Sequence, residues 1–388
     1  MTNYEAMMGA NFKVECVDVE VVEIPFVSPV HLPFGKIETR PSAWLKVHGE
    51  VEGVDGVGAA EGTSLPMKIP LYDDYSGNLK ENINHISESV IGRVTNLTEA
   101  HKAIKDTEVG GNFATARMTL ETGLIDLITR TKDDNVYQTL TGLVVPIDGI
   151  AVPYGKSIAE METDKIIEAG NLAIAKGAQR LKFKVSPKNH EEVLRGISEL
   201  KSLYPDAAYM VDANGSFDPE DDEHLRMLGS IDDLGLVMIE EPVSRGGRIL
   251  GLDAHRVLAT RTKFHTPIAL DDSISTAEDA RTAINEGLGE IINLKPGRVG
   301  SFIDTLKIVD LAQDRGKQIM VGGMFEATPG RTMTLTLAAL CLKKGFDIPG
   351  DVSLPQERLA GDLVPEKLKL DKNNNVIFNP KSGWGYEV

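Results

Sequence analysis

The sequence predicts an α/β protein in which a TIM-type β/α barrel carries a smaller α+β capping domain. The chain has 388 residues, more than one ordinary domain needs. Its first third mixes strand and helix patterns, whereas the rest repeats one strand–helix unit seven times. Such repeats imply a parallel sheet, and seven or eight of them in succession favour closure into a barrel.

The capping domain is predicted over residues 1–135. Residues 14–26, VECVDVEVVEIPF, alternate apolar and polar side chains at the period of a strand. Residues 42–62 show a similar pattern and predict a pairing partner. Helical spacing follows, most clearly in Ala114–Arg130, where apolar residues recur three and four positions apart. Strands followed by helices in this order predict an α+β unit.

The barrel is predicted over residues 136–354, and residues 355–388 are expected to return to the cap. Seven apolar strands stand in IAVPYGKS, QRLKFKVS, YMVDANGS, GLVMIEEP, TPIALDDS, EIINLKPG and KQIMVGGM. Helical segments such as His190–Leu203 and Phe302–Arg315 lie between them, and successive strands are 24 to 31 residues apart. An open Rossmann-type sheet is the alternative, but no glycine-rich dinucleotide loop follows an early strand.

Composition narrows the possible partners. The formal net charge is −17, which repels nucleic acid and anionic membranes. No apolar run approaches the length of a membrane span, and the first residues lack the apolar centre of a signal peptide. Cys16 and Cys341 are far apart, so we expect neither a disulfide framework nor a thiolate zinc site. We expect a cytoplasmic protein, and a homo-oligomer, with a small-molecule substrate; an anionic substrate such as a small carboxylate would need a local positive device, for example a metal or buried lysines.

Carboxylates end three neighbouring strands of the predicted barrel. Asp212, Glu240 and Asp271 each follow an apolar run, and active sites of β/α barrels lie at these strand ends. Three converging carboxylates repel one another unless a cation joins them, and oxygen ligands suit magnesium, with manganese as the alternative. The segment 212–223 superficially resembles a calcium loop but has phenylalanine at its sixth position, where such loops need glycine.

Lysines provide the second half of the predicted site. Lys182 and Lys184 are two apart on one strand, so both should point into the barrel. Their proximity should lower the pKa and produce a usable base. Lys295 ends a strand four positions further round, which in an eight-stranded barrel is the opposite wall. Lysines on two walls could remove a proton from one face of a substrate and deliver it to the other.

With these motifs identified, the chain resembles the enolase superfamily, in its muconate-lactonizing-enzyme subgroup. It looks most similar to the family of N-succinylamino acid racemase and o-succinylbenzoate synthase. The resemblance covers nearly the whole chain. It is carried by the lysine pair at 182 and 184 and by the motifs DAN, IEEP, LDDS, NLKPGRVG, GGMFEATPGR and PGDVS.

The resemblance implies a role for each site residue. Lys184 and Lys295 correspond to the acid/base lysines, and Lys182 corresponds to the lysine that helps to neutralise the carboxylate. The magnesium ligands correspond to the three carboxylates already named. Positions that contact the substrate or support the ligands are Asn214, Arg298, Asp272, Glu241, Gly323 and Met324. Specificity in this family comes largely from a mobile cap loop, expected here at about residues 25–40.

Several activities remain open on this resemblance. N-acylamino acid racemisation would use both lysines, whereas o-succinylbenzoate synthesis is a syn dehydration that needs one base. A cycloisomerase or dipeptide epimerase fits less well, because GGMFEATPG stands where we compare the paired aspartates of such epimerases. A barrel without catalysis is disfavoured because all five charged strand ends are filled.

Overall fold

The capping domain consists of an antiparallel sheet covered by helices. A computed structural model describes residues 3–32, 35–69, 73–108, 111–244 and 251–388. The sheet has the order β3-β2-β1-β4, and α4 packs across β2 and β3. Its elements are α1 (Asn3–Gly9), β1 (Phe12–Leu32), β2 (Gly35–Val51), β3 (Val54–Thr63), α2 (Leu79–Ser87), β4 (Val94–Thr95), α3 (Leu97–Asp106), α4 (Ala114–Thr131) and α5 (Val136–Thr141).

Glycine lets the long helix α4 approach the sheet closely. A Cβ atom at Gly58 would lie 2.3 Å from the backbone nitrogen of Leu127, so only glycine fits there. The helix is almost entirely buried, which explains why its apolar positions are not confined to one narrow stripe. The helix predicted over Ala114–Arg130 is thereby confirmed.

Residues 25–40 belong mainly to a β-hairpin. β1 pairs with β2 from Phe12 opposite Val51 to Leu32 opposite Gly35, with an irregularity between Pro25 and Val30. Proline has no backbone N–H to donate to a ladder, which accounts for the interruption beside Pro25. The segment is therefore paired strand where its proline and glycine content suggested an irregular loop. Residues 33 and 34, at the turn, lie outside the described residues.

The second unit is a β/α barrel, as the repeats predict. Seven parallel strands follow one another in chain order around its wall. The strands are β6 (Gly155–Ile158), β7 (Arg180–Lys184), β8 (Ala208–Asp212), β9 (Met238–Glu240), β10 (Ile268–Leu270), β11 (Ile291–Leu294) and β12 (Gln318–Val321). The helices are α6 (Thr163–Ala175), α7 (His190–Leu203), α8 (Asp222–Asp232), α9 (Asp253–Arg261), α10 (Ala277–Glu286), α11 (Pro296–Val299), α12 (Phe302–Asp314) and α13 (Thr328–Lys343).

A short segment at Gly350 and Asp351 closes the wall between the last strand and the first. The Asp351 amide donates to the Val321 carbonyl at 2.8 Å, and the Gly155 amide donates to the Gly350 carbonyl at 2.7 Å. Gly350 also bridges to Tyr154 in parallel orientation. This segment occupies the position of an eighth strand.

The first predicted barrel strand divides into two pieces. β5 (Ile150–Val152) lies outside the barrel and pairs with β14 (Val376–Phe378), which in turn pairs with β13 (Lys369–Leu370). Pro153 separates β5 from β6, because it lacks the N–H that would continue a ladder. The chain end then reaches the cap, where the Trp384 indole donates to the Thr122 carbonyl and the Tyr386 hydroxyl to the Ala59 carbonyl.

Apolar side chains fill the barrel below the charged strand ends. The buried cluster consists of Met210, Met238, Ala269, Ile291 and Met320. The charged strand ends lie above this packed layer, at the C-terminal ends of the strands. Arg180 is a buried, charged exception, with Nη1 2.8 Å from Met210 Sδ. Within the described part of the chain, no helix is both long enough and apolar enough to cross a membrane.

Candidate active site

The predicted lysines and carboxylates lie together at the C-terminal ends of the barrel strands. Lys184, Asp212 and Glu240 are partners in the parallel register of β7, β8 and β9. Asp271 follows β10 directly, and Lys295 follows β11. The two outer lysines thus stand four strands apart, on opposite walls of an eight-position barrel.

Each carboxylate at the strand ends contacts a lysine. Lys184 Nζ lies 2.6 Å from Asp212 Oδ2. Lys182 Nζ lies 3.1 Å from Glu240 Oε2, and Lys295 Nζ lies 2.8 Å from Asp271 Oδ2. The carboxylates are buried, whereas the Lys184 side chain is 36% exposed. The arrangement places a cation–carboxylate pair on each wall, with Lys184 open to the barrel mouth.

Arg298 is an internal residue of the site. Its side chain is 3% exposed, and Nη1 lies 2.6 Å from Asp271 Oδ1 and 3.3 Å from Asp272 Oδ1. It also donates from Nε to the Ile274 carbonyl and from Nη2 to the Asn293 carbonyl. Four contacts on one guanidinium fix the start of α11, and hence the position from which Lys295 projects.

Glu241 points away from the carboxylate cluster. Its oxygens accept from the Asp271 amide at 2.7 Å and from the Ser273 hydroxyl at 3.0 Å, and Oε1 lies 3.0 Å from Nε2 of the buried His255. Its backbone has φ +39°, in the left-handed region that costs energy for a residue with a Cβ. This conformation turns Glu240 and Glu241 in different directions, so Glu241 supports the Asp271 loop from behind.

Asn214, Gly323 and Met324 complete the predicted set. The Asn214 carbonyl oxygen Oδ1 accepts from Lys184 at 2.7 Å, and the residue has φ +44°. A Cβ at Gly323 would lie 2.7 Å from the Asp351 carbonyl oxygen, so glycine is required by close approach. The Met324 amide donates to Glu326 at 2.8 Å. Asn214 therefore contacts a predicted catalytic lysine, and the other two shape the loop after β12.

Two charged residues of the site were not predicted from the sequence. Asp351 places Oδ2 2.5 Å from Lys182 Nζ and Oδ1 2.5 Å from Nη2 of Arg180, which is fully buried. Arg180 could have been found, since it is two positions before Lys182 and shares its inward face. Asp351 belongs to the PGDVS motif, but nothing local to that motif indicates its partner.

Electrostatics correct one expectation. Burial lowers the pKa of Lys182, but the carboxylates of Asp351, Glu240 and Asp212 outweigh it and raise that pKa above its ordinary value. The expectation that Lys182 has a lowered pKa is therefore wrong. An ammonium held charged suits a residue that neutralises a carboxylate better than one that accepts a proton.

The pKa values of the site carboxylates are shifted in opposite directions. Burial, and then the charge of Asp212, raises the pKa of Glu240 to about 8. Burial would also raise the pKa of Asp271, but Arg298 and Lys295 hold it well below its usual range. Burial and the neighbouring Asp271 raise the pKa of Asp272 to about 6. A buried carboxylate crowded by others, as Glu240 is, is the environment that a bound cation would relieve.

The three strand-end carboxylates offer the oxygen ligands that a hard divalent cation prefers, although their oxygens do not cluster in this structure. Among the described residues, one set of three side chains brings one possible ligand atom from each residue within 4.8 Å of the others, and that set is in the cap. Asp212, Glu240 and Asp271 are thus more widely spaced, each held by a lysine or arginine. Their oxygens have further lone pairs, so ligation would not require these contacts to break.

Two residues of the cap, Glu61 and Phe26, contact the chain just after β12, beside the site. Glu61 of β3 accepts from the Ala327 and Gly330 amides at the start of α13, each at 2.9 Å, and burial raises its pKa to about 7. Phe26 of β1 meets Phe325 edge to face, with ring centroids 5.7 Å apart. Both contacts reach the segment directly after Gly323 and Met324. The hairpin and the strand-end loop after β12 therefore form one packed surface.

The family model and the related proteins that match this chain indicate the same family. Residues 166–388 match the family model described as enolase C-terminal domain-like. The chain is 28% identical over 383 residues to o-succinylbenzoate synthase of Geobacillus kaustophilus, covering 97% of this chain and 93% of that protein. It is 29% identical over 359 residues to N-succinylamino acid racemase of Thermus thermophilus, covering 92% and 90%.

A solved structure shares the fold over the whole length. The dipeptide epimerase of Enterococcus faecalis, complexed with magnesium and the dipeptide L-Leu-L-Tyr, superposes with a TM-score of 0.81 at 21% identity. The match covers 97% of this chain and 100% of that one. At this identity the likeness concerns the cap-and-barrel architecture alone.

Proposed function

Because this chain belongs to the enolase superfamily, as an enzyme related to o-succinylbenzoate synthases and N-succinylamino acid racemases, we propose that it is a magnesium-dependent N-acylamino acid racemase. The substrate class is N-acyl, and in particular N-succinyl, amino acids. The observation that carries the proposal is the placement of Lys184 and Lys295 four strands apart, at the ends of β7 and β11.

Racemisation needs a base on one face of the α-carbon and an acid on the other. For one enantiomer the neutral amine of Lys184 accepts the α-proton, and the ammonium of Lys295 donates a proton to the opposite face. For the other enantiomer the roles are exchanged. In each turnover one lysine gains the proton that the substrate loses, and the other lysine donates one in its place. The product therefore has the same composition as the substrate, and the total number of protons on the two lysines is unchanged.

The remaining residues hold the substrate and its developing charge. An α-proton next to a carboxylate is a far weaker acid than a lysine ammonium, so its removal requires fixed positive charge near the carboxylate. We assign the cation ligands to Asp212, Glu240 and Asp271, and a bound magnesium ion supplies charge for the ene-diolate. Lys182 adds a second positive charge, which Asp351 and Glu240 hold in place.

A second candidate is o-succinylbenzoate synthesis, favoured by the names of several relatives. This reaction is a dehydration in which the α-proton and a hydroxyl group leave from the same face as water. One base suffices, and the opposite lysine would act by its charge alone. The two activities therefore differ in whether Lys295 must transfer a proton.

Proton exchange in deuterium oxide tests the proposal. We expect Lys184→Ala and Lys295→Ala each to abolish racemisation of N-succinylamino acids, measured by polarimetry. Each variant should still exchange the α-proton of one enantiomer, by NMR, and the two variants should prefer opposite enantiomers. Lys188→Ala, an exposed lysine four residues after Lys184, is the control and should exchange both.

Other outcomes decide against the proposal. Exchange of both enantiomers by either alanine variant would show that the two lysines do not face opposite sides of the α-carbon. If the wild type dehydrates the synthase substrate, fails to racemise N-acylamino acids, and retains dehydration in Lys295→Arg, the enzyme is the synthase.

A further inference from the structure

Three side chains that could bind a metal ion meet on the cap sheet, away from the barrel. They are Cys16 and Asp18 of β1 and His48 of β2, and one ligand atom from each lies within 4.8 Å of the others. His48 is the register partner of Cys16, and its Nε2 lies 3.1 Å from Asp18 Oδ2. Two residues in i, i+2 positions and a cross-strand neighbour share one face of a sheet.

A β-bulge places these residues on the outer face. Val14 pairs with Gly49 and Cys16 pairs with His48, so Glu15 is an extra residue in β1. Before the bulge, the even-numbered Val14 is buried, whereas after it the odd-numbered Val19 is buried and Asp18 is exposed. The extra residue reverses the alternation, because one inserted position exchanges the faces of a strand. Without it, Cys16 would point into the cap core.

We propose that Cys16, Asp18 and His48 bind one zinc ion, contrary to the expectation from the distant cysteines, because the other two ligands are a histidine and an aspartate. A thiolate, an imidazole and a carboxylate are the ligands that zinc prefers, whereas magnesium takes oxygen alone. Zinc–ligand bonds of 2.0–2.3 Å place tetrahedral donors roughly 3.4 Å apart. Side-chain rotation therefore has to close separations of at most 4.8 Å by no more than roughly 1.4 Å. A water molecule completes the tetrahedron.

The surroundings favour entry of a cation. Cys16 is exposed and the Asp18 side chain is 74% exposed, so a cation can approach from solvent. His48 is 35% exposed as a side chain, but its Nε2 is buried and has no hydrogen-bond partner among the described residues, which leaves this nitrogen available as a ligand. The formal net charge of −17 attracts cations to the surface. Lys46, which faces Asp18 in the register, is the nearest competing cation on β2, so replacing it should strengthen binding.

A zinc ion here would join β1 to β2 at the start of the hairpin. β1 continues to Phe26, which packs against Phe325 beside the barrel mouth. Binding to the folded state alone would raise the thermal stability of the cap by mass action. The ion is expected to stabilise the sheet, since the candidate catalytic residues lie at the strand ends of the barrel and not on this part of the cap.

Cobalt is the probe that tests the site, because cobalt bound to a thiolate absorbs in the near ultraviolet. Metal-stripped full-length protein is given excess magnesium, which fills an oxygen-ligand site, and is then titrated with cobalt. We expect one equivalent to produce the thiolate band and zinc to remove it. Cys16→Ser should abolish the band, and His48→Ala and Asp18→Asn should each weaken binding at least tenfold.

The other cysteine provides the matched control. Cys341 is buried in α13, where burial raises its thiol pKa to about 12, so Cys341→Ser should keep the band. Zinc should raise the melting temperature of wild type and Cys341→Ser, but not of Cys16→Ser. A band that persists in Cys16→Ser, or cobalt binding without saturation near one equivalent, would mean an adventitious ion only and would overturn the proposal.

Discussion

Lys182 and Asp351 form an ion pair, with Nζ 2.5 Å from Oδ2, between two positions of the barrel wall that are separated by β6. The other carboxylate oxygen of Asp351 contacts Arg180, so one carboxylate neutralises two inward cations of β7. Lys182 and Arg180 hold the pKa of Asp351 well below its usual range, against the effect of burial. The segment that closes the barrel is thereby tied to the strand that carries the predicted base.

Loss of this carboxylate should destabilise the barrel. Asp351→Asn keeps the shape of the side chain but leaves Arg180 and Lys182 with less negative charge in a buried site. Removing one partner of a buried ion pair costs about 3–5 kcal/mol. We expect a decrease of about 3 kcal/mol in the free energy of unfolding, measured by urea titration. Asp347→Asn, at an exposed position, is the control, and equal stability of both variants would contradict the role of Asp351.

Replacement of the strand-end carboxylates should weaken cation binding. We expect Asp212→Asn, Glu240→Gln and Asp271→Asn each to lower manganese affinity at least tenfold, because each removes one anionic oxygen ligand. Electron paramagnetic resonance of free manganese measures the affinity without reference to catalysis. Asp272→Asn is the matched control. The Asp272 carboxylate contacts Arg298 and is not a proposed cation ligand, so its replacement should leave the manganese affinity within a few fold of wild type. Unchanged binding in all three variants would remove the assignment of ligands.

A buried histidine should make the cap–barrel contact sensitive to pH. His101 of α3 lies 2.6 Å from Glu121 and 3.4 Å from Asp304. Burial lowers the pKa of His101, but Asp304 and Glu121 outweigh it and raise the value to about 9. The ordinary value is 6.5, so the imidazolium stabilises the fold fully below that pH and loses its contribution as the pH rises through 9.

The expected loss is about 2–3 kcal/mol between pH 6 and pH 9.5. His101→Gln should be less stable than wild type at pH 6 and should lose that part of the pH dependence. Urea titrations at the two pH values measure it. His265→Gln removes an exposed histidine, 97% accessible, and should behave like wild type. If His101→Gln lost as much stability as wild type between pH 6 and pH 9.5, another group would be responsible for the pH dependence.

The hairpin should influence substrate selection through Phe26. Its edge-to-face contact with Phe325 fixes the loop that contains Met324. We expect Phe26→Ala to raise KM for N-acylamino acids with bulky side chains by about tenfold, the effect of losing an aromatic contact worth about 1–1.5 kcal/mol. Manganese affinity should stay unchanged. Val27→Ala, whose side chain is 58% exposed, is the control. Unaltered selectivity in Phe26→Ala would contradict a role of the hairpin in specificity.

The repeating strands and their charged ends were predictable because they are local. Apolar runs separated by helical segments predict parallel strands, and helices such as α7 and α12 begin where the pattern places them. The placement of Lys184 and Lys295 on opposite walls follows from counting strands, so it could be predicted from the sequence. The alternation of Arg180, Lys182 and Lys184 likewise determines that all three share one face.

Only the tertiary structure determines which distant polar groups come into contact. Asp351 is 169 residues from Lys182, and Glu61 is 266 residues from Ala327, so no local pattern pairs them. The pKa of Lys182 depends on three carboxylates from three segments, which is why the sequence predicted its direction wrongly. The bulge at Glu15 shows the same limit, because the sequence shows alternation but not the partner strand that defines a bulge. Periodicity determines the face on which a side chain lies, whereas its neighbours, and hence its charge state and possible ligands, depend on how distant segments pack.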